Sequence, residues 1–305
     1  MVKFNLSYGH QISLEQRVVF EVAARILGSH ITDNTTIDVH VLGANGLNDG
    51  KAVGGAVPLF NKVSYGIFKQ YMARDSSSYI DEQSVAHMQN GNTVDLSAYG
   101  EVISDNTAIL LTRAQAEALG MNEALVLDNG GSWDRDIIAA DGLDGYIVVN
   151  QDFEWNNDVL RTEEAAEGTL DSLSMALHEM FHIMGFVSGI DGTIEFNELL
   201  SGETQVDGFT LLDLQRYTEL SAAIENTDGS VSSVSAGLAA YLSADGGATN
   251  IGDLSTGQSE VGGDGYQASH WKRMQVAMGI MDPTLSYKER LEFHLRDYQS
   301  LDILG

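Results

Sequence analysis

A chain of 305 residues, 43% hydrophobic and 20% charged, is long enough to bury a sizeable core and too apolar for wholesale disorder. Its 16 basic residues against 44 acidic ones leave a formal net charge of −28, a field that repels nucleic-acid phosphates and anionic lipid and argues against both as partners. With no cysteine, disulfide frameworks, thiolate metal sites and cysteine nucleophiles are excluded together, so any metal must be held by His, Asp or Glu.

No run approaches the roughly 18 apolar residues that a membrane span needs. The opening MVKFNLSYG has neither the basic region nor the apolar stretch of a signal peptide. Val2, Phe4, Leu6 and Tyr8 instead alternate with polar neighbours, which predicts a half-buried strand, with any export leader lying outside this sequence. SLEQ at 13–16 reads as a capping box, and Leu14, Val18, Val22 and Ile26 then recur at helical spacing until Gly28. Ile37, Val39 and Val41 predict a second strand, with His40 on its polar face, followed by a glycine-rich loop over 43–55. Val63, Ile67, Phe68, Tyr71 and Met72 suggest another helix. Strands are expected at 108–112 and 146–150, with a short helix, TRAQAEAL, after the first. Residues 1–150 therefore read as a mixed sheet carrying helices.

Residues 170–184 give the strongest helical signal, through Leu170, Leu173, Leu177 and Met180 or Phe181, with Gly185 placed as a helix stop. Beyond Gly185, Gly, Ser, Thr and Asp dominate 186–208 and 225–269, around a helix expected from Phe209 to Leu220. A last helical pattern runs from Lys288 to Leu304. No internal repeat appears. The expected division is 1–185, ending in the helix just described, and 186–305, a looser C-terminal part.

The segment from His178 reads HEMFHIMG. Residues four apart share a helix face, so His178 and His182 can present two imidazoles to one ion. Glu179 lies one residue round, near enough to take a proton from a water activated by zinc without itself ligating. With eight His, a chance HExxH is expected in roughly one sequence in a hundred of this composition, so the match is suggestive and the helical context and Gly185 strengthen it. A glycine three residues after the second His ends the helix sharply and lets the chain bring a third ligand from below.

This arrangement resembles the metzincin zinc peptidases, whose extended motif is HExxHxxGxxH. Ser188 stands where the third ligand belongs, and a hydroxyl is a poor zinc ligand. The leishmanolysin-like branch places a long insertion before its third His, which sits in a Ser-His-Trp context ahead of a methionine turn. ASHWK at 268–272 and GIMDP at 279–283 are similar to that pattern. HEMFHIMGFVSG, LLDLQRY, SHWK, GIMDPTL and LDILG match, in order, an acidic bacterial metalloprotease family related to leishmanolysin. The likeness covers 170–305 well and the N-terminal half loosely.

The resemblance implies an α+β zincin fold, a twisted mixed sheet with a backing helix and an active-site helix. It implies one catalytic zinc on His178, His182 and His270, Glu179 as general base, and Met281 as an apolar floor. The chain is then expected to be a secreted, bacterial, monomeric endopeptidase acting on protein or peptide. Metzincins bind substrate along an edge strand; Ala108–Thr112 and Tyr146–Asn150 are the two candidates, and the sequence does not choose. Asp213 is expected, by analogy, to orient a neighbour by hydrogen bond. Rival readings are a gluzincin with Glu195, Glu198 or Glu219 as third ligand, and a non-catalytic binding protein stabilised by a metal. Asp191 is a further ligand candidate, three residues late for the short motif. The acidic turns at 245–247 and 262–265 could hold calcium, although ordinary turn chemistry is the default. His10, His30 and His87 lack partner spacing, and His294, in the last helical pattern, is expected at the surface or in the core rather than on a metal.

Overall fold

The computed structural model describes residues 1–121, 142–192, 206 and 208–304. Its largest sheet has four strands in the order β1 (Lys3–Tyr8), β2 (Thr36–Ala44), β8 (Gly145–Asn150) and β3 (Gly54–Pro58). The first three run parallel, and β3 lies antiparallel to β8 at the edge. Alternation explains the packing. Ile37, Val39 and Val41 of β2 and Ile147 and Val149 of β8 are buried, while the residues between them stay half-exposed. The exposed–intermediate alternation along β1 follows the pattern read from Phe4, Leu6 and Tyr8.

Helix α1 (Leu14–His30) packs on this sheet beside α5 (Ser172–Ile183). Both halves of the α1 capping box are formed: Ser13 Oγ accepts from the Gln16 N–H, and Gln16 Oε1 accepts from the Ser13 N–H. Strand β4 (Phe60–Ser64) precedes α2 (Tyr65–Asp75) and α3 (Tyr79–His87), and pairs antiparallel with β7 (Ala108–Thr112). Strands β5 (Val94–Ala98) and β6 (Glu101–Asn106) form a hairpin whose turn residues, Tyr99 and Gly100, both have positive φ, as a primed turn requires. Helix α4 (Arg113–Ala118) follows β7, and the two-residue strands β9 (Trp155–Asn156) and β10 (Leu170–Asp171) pair parallel just before α5.

The remainder is loop-rich. It holds α6 (Leu211–Leu214), β11 (Arg216–Tyr217), α7 (Glu219–Ala222), β12 (Ser232–Ser233), β13 (Ala240–Leu242), β14 (Gly252–Leu254) and the C-terminal α8 (Leu295–Leu304). Strand β12 extends the β5–β6 hairpin, and β11, β13 and β14 make a small antiparallel sheet. The molecule is thus mixed α/β, with several small sheets beside the main one. Its hydrophobic core is continuous across Gly185, from Val2 through Phe181 to Trp271 and Leu304. No described helix is long and apolar enough to cross a membrane.

Several elements differ from the sequence expectation. Gly54 and Gly55, expected in the glycine-rich loop over 43–55, instead open the edge strand Gly54–Pro58 of the main sheet. Tyr146–Asn150 is an interior strand, flanked by β2 and β3, and Ala108–Thr112 pairs with β4 while Leu110 bridges Thr210. Neither is therefore the open edge beside α5. The single helix expected over 209–220 is broken into α6, β11 and α7, because Arg216 and Tyr217 extend to pair with β13. The last helix begins at Leu295, since Lys288 takes a left-handed φ of 65° and the chain to 294 has no helical bonding.

Candidate metal centre

Helix α5 starts at Asp171, whose buried carboxylate caps it by accepting from the Ser174 N–H. Arg161 Nη2 reaches the same carboxylate at 2.5 Å, and Arg290 Nε stands at 3.7 Å. The helix is buried along almost its whole length, so His178, Glu179 and His182 are carried inside the protein rather than on its surface. It stops at Gly185, where φ is +114°. A Cβ there would stand 2.2 Å from Gln115 Nε2, so glycine is required both by the backbone and by the neighbour.

The turn after the helix meets the segment carrying His270. Among the described residues, His178, His182 and His270 gather their ligand nitrogens within 4.8 Å of one another. Nε2 of His178 lies 3.1 Å from that of His270 and 3.2 Å from that of His182. The other nitrogens decide what those contacts are. Nδ1 of His178 points at the Ile280 carbonyl (2.8 Å), that of His182 at Phe186 O (2.7 Å) and that of His270 at Gln267 O (3.2 Å). A carbonyl only accepts, so each Nδ1 carries the proton and each Nε2 is left with a bare lone pair. Burial holds all three imidazoles neutral, lowering His178 to about 4, His182 to about 3 and His270 well below the ordinary value.

Three lone pairs that face one another with no proton between them repel unless a cation sits among them. Four-coordinate zinc with bonds of 2.0–2.1 Å puts neighbouring ligands about 3.4 Å apart, close to the two shorter separations here. The donor set, three neutral imidazoles with fixed tautomers, therefore fits a zinc-like dication.

Glu179 is buried beside this group and is not one of the three. Its carboxylate accepts the Ala56 N–H from β3. Burial pushes its pKa up to about 8 against that hydrogen bond. Gly54 on the same strand lets the carboxylate in: a Cβ at this position would meet Glu179 Oε1 at 3.2 Å. Met281 is fully buried, and its carbonyl accepts from the Trp271 N–H, tying the expected methionine turn to the residue after His270.

The other candidates lie elsewhere. Ser188 Oγ donates to Asp213 Oδ1 (2.5 Å), and Asp213 Oδ2 accepts from the Gly189 N–H, so Asp213 fixes the turn after the helix. Asp191 accepts the N–H groups of Gln258 and Ala268. Glu219 is exposed at the start of α7 and stands outside the triad; Glu195 and Glu198 lie outside the described residues. His40 Nδ1 contacts Ser7 Oγ, and His87 Nδ1 faces Gln83 O. Asp245 accepts from Thr249 and Ser243, and Asp264 from the Tyr266 N–H, as turn carboxylates do.

One site residue has no counterpart in the sequence reading. Asp297, fully buried in α8, accepts the Trp271 indole N–H (2.8 Å), the Ile280 N–H (3.1 Å) and the His294 N–H (2.7 Å). The signal available was an Asp four and seven residues before Leu301 and Leu304, on the face that this amphipathic helix buries.

Searches against family models, curated proteins and solved structures find no match to this chain.

Proposed function

We propose that the protein is a zinc-dependent endopeptidase in which His178, His182 and His270 hold the metal and Glu179 is the general base. The observation that carries this reading is the triad itself: three neutral imidazoles, buried or nearly so, with their Nε2 lone pairs turned to one another, and a buried carboxylate on the same helix that stands outside the group. A purely structural metal has no use for that fourth group. When bound, zinc supplies Lewis acidity, polarising a peptide carbonyl and lowering the pKa of water.

The chain's own residues would do the rest. Glu179 takes a proton from the attacking water and hands it to the leaving amine, which needs a carboxylate free to change its protonation state. Burial raises its pKa, while a dication in the triad would lower it again, so the two influences oppose each other near neutral pH. The Ala56 N–H orients the carboxylate, and the Nδ1-to-carbonyl bonds of the three His prevent their rings from turning.

Substrate is proposed to lie along β3. Asn150 N–H donates to Val53 O and Leu59 N–H to Asp144 O, so the odd-numbered residues of this strand bond inward to β8. The even-numbered Gly54 and Ala56 then turn their main-chain groups to the open side, where Ala56 meets Glu179. An extended peptide could add there as a further strand, which suits unfolded or loop segments of any sequence.

The test is zinc content together with cleavage of an unstructured protein such as casein. Wild type should carry one zinc per chain, lose activity to phenanthroline and regain it with added zinc. Glu179→Ala should keep the zinc and lose at least about 100-fold in turnover. A Glu179→Ala protein that cleaves at the wild-type rate rules out the assigned base. A zinc-loaded wild type without peptidase activity turns the reading towards a metal-stabilised binding protein.

A further inference from the structure

His270 belongs to no helix or strand, yet it must meet two ligands fixed on α5. A ligand on a loop is only as well placed as the bonds on either side of it. We infer that Asp191 and Asp297 are positioning residues for the metal centre, two buried or half-buried carboxylates that clamp the third-ligand segment from its upstream and downstream sides. This rests on the reading of the triad as a metal site.

Upstream, Asp191 ends the 3-10 turn Gly189–Asp191, directly after the active-site helix and its turn. One of its oxygens accepts the Gln258 N–H at 2.7 Å, and the other accepts the Ala268 N–H. The two donors stand at the two ends of the loop that delivers His270, so one side chain both closes that loop and holds it to the end of α5. Ala268 is two residues before His270, and Gln267, whose carbonyl fixes the His270 tautomer, is next to it. The neighbouring bond from the Ser188 N–H to Ser269 Oγ, 2.9 Å, runs between the same two segments.

Downstream, Asp297 accepts from Trp271, the residue after His270, and from Ile280, the residue before Met281. The Ile280 carbonyl in turn orients His178. Gly279 allows the close approach, since a Cβ there would stand 2.3 Å from Asp297 Oδ2. One carboxylate therefore ties the third ligand, the methionine turn and, through Ile280, the first ligand to α8. Trp271 is fully buried and meets Phe186 edge to face at 4.9 Å, so its indole N–H has no solvent to turn to.

A carboxylate accepting two main-chain N–H groups cannot be replaced by an amide without loss. In Asp191→Asn one of the two N–H donors must face an NH₂ group, and the segment carrying His270 is released at one end. A purely structural residue would lower the melting temperature and leave the folded protein's affinity for zinc unchanged, because unfolding and metal binding are separate equilibria for a protein that stays folded. A positioning residue must change the affinity itself, as orienting partners of metal ligands do by about 10–100-fold.

The experiment is competition for zinc against a chromogenic chelator, with the visible spectrum of the cobalt(II)-substituted protein as a second readout, on full-length chains at a temperature where each is folded by circular dichroism. Asp191→Asn should raise the zinc Kd at least about tenfold and alter the cobalt bands that report three nitrogen ligands. Trp271→Phe deletes only the N–H that Asp297 accepts and should raise the Kd in the same direction by less; it serves where Asp191→Asn does not fold. Asp144→Asn, which alters a buried carboxylate bonded to the Asp38 N–H in the main sheet, should lower the melting temperature without changing either readout. Wild-type zinc affinity and cobalt spectrum in folded Asp191→Asn and Trp271→Phe would overturn the inference. The parent reading fails separately, and visibly, if His270→Ala itself binds zinc as tightly as wild type.

Discussion

Each imidazole of the triad donates its Nδ1–H to a main-chain carbonyl, and those three carbonyls come from three different places: Ile280 before Met281, Phe186 in the turn after α5, and Gln267 in the loop before His270. The candidate metal centre is thus keyed to backbone, and single residues that shape that backbone should matter as much as the three His. Gly185 is one. Its φ of +114° and the 2.2 Å approach of Gln115 predict that Gly185→Ala destabilises the fold by about 2–4 kcal/mol in urea unfolding, through strain and overpacking together. A loss below about 0.5 kcal/mol would mean the turn is freer than its geometry indicates. Asp191 is another, through the two N–H groups that its carboxylate accepts. Its place just past HEMFHIMG suggested a ligand, but its oxygens are occupied by two N–H donors, and sequence spacing carries no record of such bonds.

At the level of elements, α5 was legible because its signals are local: apolar spacing from Leu173 to Phe181, and a glycine stop. Its anchoring was not. Asp171 caps the helix and meets Arg161 and Arg290, which lie on opposite sides of it in sequence, and an ion pair across such distances leaves no pattern to read. Asp171→Ala should lose the cap and strand Arg161 in a largely buried site, costing about 3–5 kcal/mol in denaturant unfolding. A cost near that of a lost surface cap, about 1 kcal/mol, would show that water replaces the pair. Strand β3 escaped for a different reason. GGAVP has two glycines and a proline, residues depleted from strands, yet its sheet position needs small residues where Gly54 meets Glu179. The turn leading to β3 is pinned by Asp152, which accepts from Asn45 Nδ2 and the Gly46 N–H. Those bonds hold the Asp152 carboxyl below its ordinary value. A depressed carboxyl contributes stability above the unfolded pKa of about 3.9 and loses it as pH falls through the lower folded value. The stability difference between wild type and Asp152→Ala should therefore shrink below about pH 4, and a difference that grows with acid would contradict the assignment.

Across the whole molecule, one core joins the sheet and α5 to the loop-rich part that delivers His270, so metal binding and folding should be linked. Zinc that binds only the folded chain stabilises it by RT ln(1 + [Zn]/Kd), about 4 kcal/mol at a thousandfold excess over Kd. Chelation should lower the melting temperature reversibly, and His270→Ala should abolish that dependence. The net charge of −28 was legible from composition and favours binding of divalent cations, but composition says nothing of where a cation would sit. Spacing brought His178 and His182 to one helix face, the likeness of SHWK to a known pattern pointed to His270, and the fold gathers the three into one triad that could hold a metal. Asp297 lay beyond both, because its partners Trp271 and Ile280 reach it only through the tertiary fold. The most direct measurement is anomalous diffraction at the zinc edge from crystals of the zinc-loaded protein. The account predicts one strong peak per chain, within about 2.1 Å of Nε2 of His178, His182 and His270, with the Glu179 carboxylate beside it and not bonded to it. A peak coordinated by Asp191 or Glu219, with His270 turned away, would contradict it.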